Sequence, residues 1–184
     1  MNILSFEVPT VMKHGLGASR SVAYEAKDLG MRRPLLVTDP GILQIGLLDQ
    51  LIAILDAANL DHVVFSEVKP NPSIALVDQV AAIFKNERCD GLIALGGGSS
   101  MDTAKAVGVV TEHGGSILDY EWAPLNPIKK RIPPTICLPT TAGTGSEVTL
   151  WAVITDPERK IKFNVGGSPL IGAWLALIDP ELTM

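Results

Sequence analysis

The sequence has few of the side chains that bind metals or form cross-links. Its 184 residues include two cysteines and three histidines. Cys89 and Cys137 are too few and too far apart for a zinc motif or a disulfide framework. His14, His62 and His113 are scattered, without the spacing that a metal site or a catalytic Ser-His-Asp or Cys-His group needs. We therefore expect neither a metal ligand nor a catalytic nucleophile in this chain.

Clusters of positive charge and long apolar runs are also absent. Fifteen Lys and Arg face twenty Asp and Glu, for a net charge of −5, which argues against nucleic acid or an anionic membrane as partner. No apolar run approaches the roughly 18 residues of a membrane span. The N-terminus has no positive region, and Glu7 and Pro9 interrupt its apolar residues, so no signal peptide is expected. With two thiols expected to be buried and free, these features indicate a cytoplasmic protein.

What is present indicates one folded domain over residues 1–184. Hydrophobic residues make up 47% and charged residues 19% of the chain, a balance that excludes intrinsic disorder. Length divided by about 150 gives one domain. Low-complexity segments and internal repeats are absent.

Short apolar runs alternate with segments of helical spacing. The runs, which predict buried strands, are 34–38, 62–65, 91–95 and 135–138. Apolar residues recur at helical intervals over 47–55, 74–84 and 101–107, and Ser73 is a candidate N-cap for the second of these helices. The alternation predicts an α/β fold, a parallel sheet with helices on both faces, in which ligands bind beyond the carboxyl ends of the strands.

A glycine-rich loop, Gly96-Gly97-Gly98-Ser99-Ser100, follows one predicted strand and opens a helix. Residues without a Cβ let the backbone approach a ligand, and the helix N-terminus favours a phosphate. The loop is neither the G-x-G-x-x-G fingerprint nor a P-loop. A tight turn without any ligand is the alternative.

Asp39 ends an earlier strand and has two interpretations. It can accept hydrogen bonds from ribose hydroxyls and repel a 2′-phosphate, which favours NAD over NADP. Before Pro40-Gly41 it can also be a simple turn residue. Together with the glycine loop, we favour the ribose interpretation.

The segment 139–147, PTTAGTGSE, places four hydroxyls and two glycines after another strand. Thr140, Thr141 and Thr144 are candidates for contact with phosphate, ribose or a nicotinamide carboxamide. An ordinary capped turn is the alternative. Further on, Lys162 falls in a charged run after an Asp156-Pro157 turn, and spacing alone predicts a hairpin with a solvated turn.

Two segments resemble the iron-containing (group III) alcohol dehydrogenases. They are 96–105, GGGSSMDTAK, and 139–149, PTTAGTGSEVT. Shorter matches lie at 15–18, 37–39, 70–72, 154–156 and 177–183, so the resemblance covers the whole chain. Glycerol dehydrogenases and dehydroquinate synthases share the glycine loop but resemble the threonine-rich segment less well.

The resemblance implies a Rossmann-like parallel sheet flanked by helices, with an N-terminal β-hairpin, and NAD as cofactor. By the matched positions, Asp39 would hold the adenosine ribose, and Gly97, Gly98 and Ser99 would bind the pyrophosphate. Asp102 would line the cofactor cleft, with Asn71 and Thr149 near the cofactor. The three threonines Thr140, Thr141 and Thr144 would contact phosphate or the nicotinamide side. Lys162 would lie near the nicotinamide ribose, which replaces the interpretation from spacing.

The family's divalent metal, iron or zinc, polarises a small alcohol or aldehyde substrate. Its ligands, one Asp and three His, belong to a helical C-terminal domain that is absent from this chain. We therefore expect the NAD-binding half of an alcohol dehydrogenase, inactive alone. The alternatives are a non-catalytic nucleotide-binding module and a lyase of the dehydroquinate synthase type. The family also pairs N-terminal strands across a homodimer, with which the alternating run from Ile3 to Val8 is compatible.

Overall fold

The computed structural model of the chain describes residues 8–123 and 128–183. Strands and helices alternate along most of this length. The strands are β1 Val11–His14, β2 Pro34–Val37, β3 Val63–Phe65, β4 Gly91–Gly96, β5 Thr135–Pro139, β6 Trp151–Asp156, β7 Ile161–Gly166 and β8 Leu175–Ile178. The α-helices are α1 Val22–Asp28, α2 Pro40–Gln44, α3 Leu47–Ala57, α4 Ile74–Asn86 and α5 Gly98–His113.

Six of the strands form one parallel sheet in the order β1-β8-β5-β4-β2-β3. The remaining two, β6 and β7, form an antiparallel ribbon. All four strands predicted from apolar runs lie in the parallel sheet, and helices cover both of its faces. The predicted fold class is therefore confirmed.

The apolar runs of the sheet arise because its central strands are buried on both faces. Along β2, Leu35 and Val37 enter one hydrophobic core while Leu36 enters the other. Along β4, Ala94 enters the same core as Leu35, and Ile93 enters the same core as Leu36. Successive side chains of a strand point to opposite faces, so a strand covered on both sides needs apolar residues at every position.

The helices divide between these two cores. Residues of α1, α2 and α3, such as Val22, Ile42 and Leu51, pack on one face of the sheet. Residues of α4 and α5, such as Val77 and Met101, pack on the other. The predicted cap of α4 is present, since Ser73 Oγ accepts a hydrogen bond from the amide of Leu76 at 3.3 Å.

A crevice opens between the carboxyl ends of β2 and β4. The two strands are neighbours, with Leu35 opposite Leu92. The chain leaves β2 into α2 and α3 on one face, whereas it leaves β4 into α5 on the other face. Ligands of open parallel sheets bind at such a reversal of direction, so the topology marks the ends of β2 and β4 as the place for a site.

The ribbon β6–β7 is the hairpin predicted from the charged run. Its turn, residues 157–160, is exposed as predicted, while its strands pack against the domain. The amide of Thr155 donates to the carbonyl oxygen of Pro72 at 2.8 Å. Ile154 and Phe163 are buried in the core that also contains α5. This docking brings β7 to the sheet edge where β3 ends.

Strand β1 lies at one edge of the sheet, beside β8. The hairpin expected at the N-terminus involves residues 1–7, which lie outside the described residues. The strand that follows, β1, pairs in parallel with β8, with Val11 opposite Leu175. Within residues 8–123 and 128–183, no helix combines the length and the apolar character that crossing a bilayer requires.

Candidate functional site

A cleft of about 480 Å³ lies at the reversal point of the sheet. We call it the first cleft. It is lined by segments that follow four neighbouring strands: 39–42 after β2, 68–70 after β3, 97–100 after β4 and 140–141 after β5. Because these strands are adjacent and parallel, residues far apart in sequence meet at one edge.

The turn between β4 and α5 requires glycine at position 96 and leaves little room for a side chain at position 98. Gly96 has φ +147, and a Cβ there would lie 2.5 Å from Ser100 Oγ and 3.1 Å from Asp39 Oδ2. A Cβ on Gly98 would lie 3.2 Å from Ser146 Oγ. The backbone of the loop is therefore held close to its neighbours, and any side chain at either position would displace them.

The amino end of α5 points into the first cleft. Gly97 is its N-cap and has no side chain with which to accept from the first-turn amides. Those amides have no acceptor within the helix, and they carry the positive end of the helix dipole. The arrangement suits an anion such as a phosphate, bound at Gly97, Gly98 and Ser99.

Asp39 uses its two carboxylate oxygens differently. Its Oδ1 accepts from the amides of Gly41 at 2.9 Å and Ile42 at 3.2 Å, and so caps α2. Its Oδ2 lies 3.4 Å from Ser100 Oγ, on the side of the glycine loop. Both sequence interpretations thus describe part of its geometry, since the residue that caps the helix also lines the first cleft.

A second cleft of about 260 Å³ shares Gly98 and Ser99 with the first. Its other lining residues come from the end of β3, from α5 and from the β6–β7 ribbon. They are Asn71, Pro72, Asp102, Val153, Thr155 and Lys162. The two clefts therefore meet at the amino end of α5.

Asn71 and Lys162 meet in the second cleft because the ribbon docks against the residues after β3. Lys162 lies opposite Thr155 in the ribbon, and the amide of Thr155 bonds to Pro72. Asn71 has a left-handed backbone, φ +58, which asparagine tolerates better than most residues. Lys162 remains exposed while lining the cleft.

The hydroxyl-rich segment divides between the cleft and its supports. Thr140 and Thr141 line the first cleft, and the amide of Thr140 bonds to the carbonyl oxygen of Gly96 at 3.0 Å. Thr144 lines neither cleft, and its Oγ1 accepts from the amide of Ser146 at 3.3 Å. Thr149 lies behind the second cleft, where its Oγ1 is 3.2 Å from Lys105 Nζ.

Lys105 is a charged residue beside the site that the sequence reasoning did not single out. Its side chain is fully buried. Its Nζ donates to the carbonyl oxygens of Ser146, at 2.9 Å, and Trp151, and lies 3.2 Å from Asp102 Oδ1. The signal in the sequence is one lysine inside the run of small and apolar residues 104–110, which predicts a helix buried all round.

The described residues contain no group of three or more His, Cys, Asp or Glu placed to hold a metal ion. The carboxylate at the second cleft, Asp102, has Lys105 beside it rather than other anionic side chains. These residues do not fit the divalent metal that the sequence resemblance implies.

The family model for iron-containing alcohol dehydrogenases matches residues 9–180. The chain belongs to the iron-containing alcohol dehydrogenase family. It is 56% identical over 179 residues to the choline dehydrogenase of Bacillus subtilis (strain 168). The aligned region covers 97% of this chain and 44% of that protein. It is 39% identical over 178 residues to the NAD-dependent methanol dehydrogenase of Bacillus methanolicus. Here the aligned region covers 97% of this chain and 46% of the relative.

Solved structures of the family show the same architecture. A crystal structure of a 1,3-propanediol oxidoreductase superposes with a TM-score of 0.92 at 33% identity, covering 98% of this chain and 47% of that one. The sulfoacetaldehyde reductase from Bifidobacterium kashiwanohense, solved in complex with NAD+, superposes with a TM-score of 0.90 at 31% identity. The superposition covers 100% of this chain and 48% of that one. The chain thus spans about half the length of the relatives it matches.

Proposed function

We propose that residues 1–184 form one dinucleotide-binding domain that holds NAD across the two joined clefts. The observation that carries the proposal is the position of the glycine loop. The anion-binding end of α5 lies where the clefts meet, with Asp39 in the first cleft and Lys162 in the second. A dinucleotide has the same order of parts, because its pyrophosphate separates two nucleosides.

Each half of NAD then has a place. The amides of Gly97, Gly98 and Ser99 bind the pyrophosphate, flanked by Thr140 and Thr141. The adenosine half occupies the first cleft, where Asp39 Oδ2 accepts from the ribose hydroxyls. The nicotinamide riboside half occupies the second cleft, beside Asn71, Asp102 and Lys162. In this arrangement Thr144 and Thr149 support the loop from outside the cleft.

The carboxylate of Asp39 favours NAD over NADP. A 2′-phosphate would be placed against a negative charge in a partly enclosed cleft, where charges interact more strongly than in water. The same carboxylate accepts hydrogen bonds from the unmodified ribose.

The reaction we propose is the one the family relatives perform, hydride transfer between NAD and a small alcohol or aldehyde. Bound NAD supplies the hydride acceptor. The described residues bind and orient that cofactor, and the second cleft exposes its nicotinamide side. Since these residues do not fit a metal, the divalent ion, the catalytic residues and the substrate pocket require chain outside these 184 residues.

Calorimetric titration of the 184-residue chain with NAD tests the binding proposal, and an assay with primary alcohols and added iron or zinc tests the division of labour. We expect binding but no turnover. Absence of heat at millimolar NAD would overturn the first statement. Metal-dependent NADH formation by this chain alone would overturn the second.

We also propose that the protein works in a reducing cytoplasm and forms a homodimer. Cys89 and Cys137 are buried free thiols, and burial raises their pKa values to about 11 and about 12, so both are inert thiols typical of reducing compartments. Among the described residues, β1 is the outermost strand on one side of the sheet, and its Val11 and Met12 are more than half exposed. Pairing of this edge with a second copy would cover them, and sedimentation equilibrium measures whether the chain dimerises.

A further inference from the structure

The ammonium group of Lys105 lies in the interior, surrounded by four oxygen atoms. It donates to the carbonyl oxygens of Ser146, at 2.9 Å, and Trp151, and to Thr149 Oγ1 at 3.2 Å. Asp102 Oδ1 lies 3.2 Å away as an ion-pair partner. A fully buried lysine is costly unless its charge is paired and its donors are satisfied, and here both conditions are met.

These contacts fasten the hydroxyl-rich segment to α5. Two of the acceptors, Ser146 and Trp151, stand at the two ends of the chain that links the threonine-rich loop to β6. Thr149, between them, also donates to the carbonyl oxygen of Trp151 at 3.3 Å. One side chain on α5 thus fixes the path of the whole connection.

The same ammonium neutralises the carboxylate that faces the second cleft. Asp102 Oδ2 accepts from the amide of Val153 at 3.0 Å. Its Oδ1 is buried and, among the described residues, receives no directed hydrogen bond, although the charge of Lys105 is close. Without Lys105 this buried carboxylate would lack a counter-charge, and either it or the β6 backbone would have to move.

We propose that Lys105 is a positioning residue for the nicotinamide half of the cofactor site. It lines neither cleft. It acts through Asp102 and through the Ser146-to-Trp151 connection, which together set the position of Val153 and hence one wall of the second cleft. The proposal rests on the proposed NAD-binding function and deepens it, because it assigns Lys105 to one half of the dinucleotide.

Within the described chain, none of the residues that Lys105 contacts lines the first cleft, whereas its ion-pair partner Asp102 lines the second. The lining residues of the first cleft come from the ends of β2, β3, β4 and β5, and Asp39 is held by the amides of Gly41 and Ile42. Loss of the Lys105 charge should therefore weaken a ligand that occupies both clefts and spare one that ends at the pyrophosphate. NADH and ADP are such a pair.

The test compares Lys105→Met, which retains the length of the side chain without its charge, with the unaltered chain. We expect the affinity for NADH to fall about tenfold or more, a change of about 1.4 kcal/mol, and that for ADP to change by less than about twofold. At saturation, the emission of bound NADH should also approach that of free NADH, since the ring is less firmly held. An unchanged emission would contradict a positioning role.

Lys85→Met is the matched control. Lys85 is an exposed lysine on α4 that lines neither cleft and whose Nζ donates to the carbonyl oxygen of Val110 at 3.4 Å. Its loss should leave both affinities unchanged. If Lys105→Met does not fold, Thr149→Val removes one acceptor of the ammonium in a side chain of the same shape. It should weaken NADH selectively by a smaller factor, and no change or equal loss for both ligands would contradict the proposal.

The outcomes separate the two proposals. If the unaltered chain binds neither NADH nor ADP, the proposed function fails, and the assignment of Lys105 fails with it. If the unaltered chain binds both, and Lys105→Met weakens both equally or neither, only the assignment of Lys105 is wrong.

Discussion

Asp39 caps α2 and, in the proposed function, also binds the adenosine ribose. Its Oδ1 caps α2 through the amides of Gly41 and Ile42, while its Oδ2 faces the glycine loop. Removing the whole side chain confounds these roles, but removing only the charge does not. Asparagine is as good an N-cap as aspartate, so Asp39→Asn isolates the effect of the charge on the cofactor.

We predict that Asp39→Asn shifts the preference from NAD towards NADP, by about tenfold in the ratio of their dissociation constants. The reason is that the repulsion between the carboxylate and the 2′-phosphate, on the order of 1–4 kcal/mol at a partly exposed site, is removed. Asp39→Gly should relax the preference similarly, since glycine at an N-cap costs only a few tenths of a kcal/mol. Calorimetric titrations with both dinucleotides measure the ratio. Asp49→Asn, at an exposed position of α3, is the control and should leave the ratio unchanged. An unchanged ratio in Asp39→Asn would contradict the ribose assignment.

Gly98 gives the second residue-scale prediction. A Cβ there would lie 3.2 Å from Ser146 Oγ and 3.5 Å from Thr144 Cβ, so valine would push the hydroxyl-rich loop away and cover the amides of the loop. We expect Gly98→Val to weaken NAD binding about tenfold or more, as measured by titration. Ala57→Val, at an exposed position of α3, should bind NAD normally, and normal binding by Gly98→Val would refute the pyrophosphate position.

At the scale of elements, apolar patterning predicted three strands that are buried throughout, but it did not predict β8, whose first three residues are equally buried. The strands β2, β4 and β5 are buried throughout and read as apolar runs. Patterning alone did not predict β1, because all four residues of this edge strand are exposed. An edge strand is defined by its hydrogen bonds to β8, and hydrogen bonding leaves no hydrophobic pattern.

The β6–β7 ribbon illustrates the same limit in the site. The turn chemistry at Asp156-Pro157 predicted the hairpin and its exposed turn, but spacing alone did not place Lys162 beside a cleft. The bond from Thr155 to Pro72 that brings Lys162 beside Asn71 joins segments far apart in sequence. Family motifs anticipated that proximity, whereas local pattern could not, because nothing in either segment specifies its partner.

The cap of α4 gives a prediction at this scale. Ser73 Oγ accepts from the amide of Leu76, and Ser73 also pairs with Thr155 of the ribbon. Ser73→Ala should lower the free energy of unfolding by about 1 kcal/mol, since one first-turn amide loses its acceptor. Urea denaturation measures the change. Ser73→Asp retains an acceptor and should restore most of the stability, and equal losses in both variants would show that the cap is not the cause.

At the scale of the whole molecule, Asp179 ties the two ends of the described chain together. Its carboxylate accepts from the amides of Gly17 and Ser19, from Ser19 Oγ and from the amide of Glu181. Burial raises the pKa of Asp179, but these hydrogen bonds from Ser19, Glu181 and Gly17 outweigh it, and the pKa is lower than the usual 3.8. The folded state therefore favours the charged form.

The sign of the pH dependence follows. Because the pKa is depressed on folding, the stabilisation is fully present above the unfolded value and is lost as the pH falls below 3.8 through the folded pKa. Asp179→Asn should lower the Tm at pH 7 by several degrees and flatten the fall of Tm in that acid range. Thermal unfolding between pH 7 and pH 2 measures both. An acid fall as steep as that of the unaltered chain would contradict this role.

In the proposed function, the molecule as a whole is a cofactor-binding half whose candidate site lies at the carboxyl ends of the strands of a parallel sheet. Strand order and the reversal at β2 and β4 place Asp39, the glycine loop and the threonines together. The sequence predicted this location, because each strand is followed by unusual polar or glycine residues. It did not predict that Lys105 would support the site from behind, since a buried cation depends on acceptors supplied by a distant loop.

A crystal structure of the 184-residue chain grown with NAD tests the central claim most directly. We predict density for a dinucleotide across both clefts, with its pyrophosphate on the amides of Gly97, Gly98 and Ser99 and its adenosine ribose on Asp39. Density for NAD elsewhere, such as the apolar groove between Leu47, Leu51 and Leu182, would contradict it, as would empty clefts at saturating cofactor.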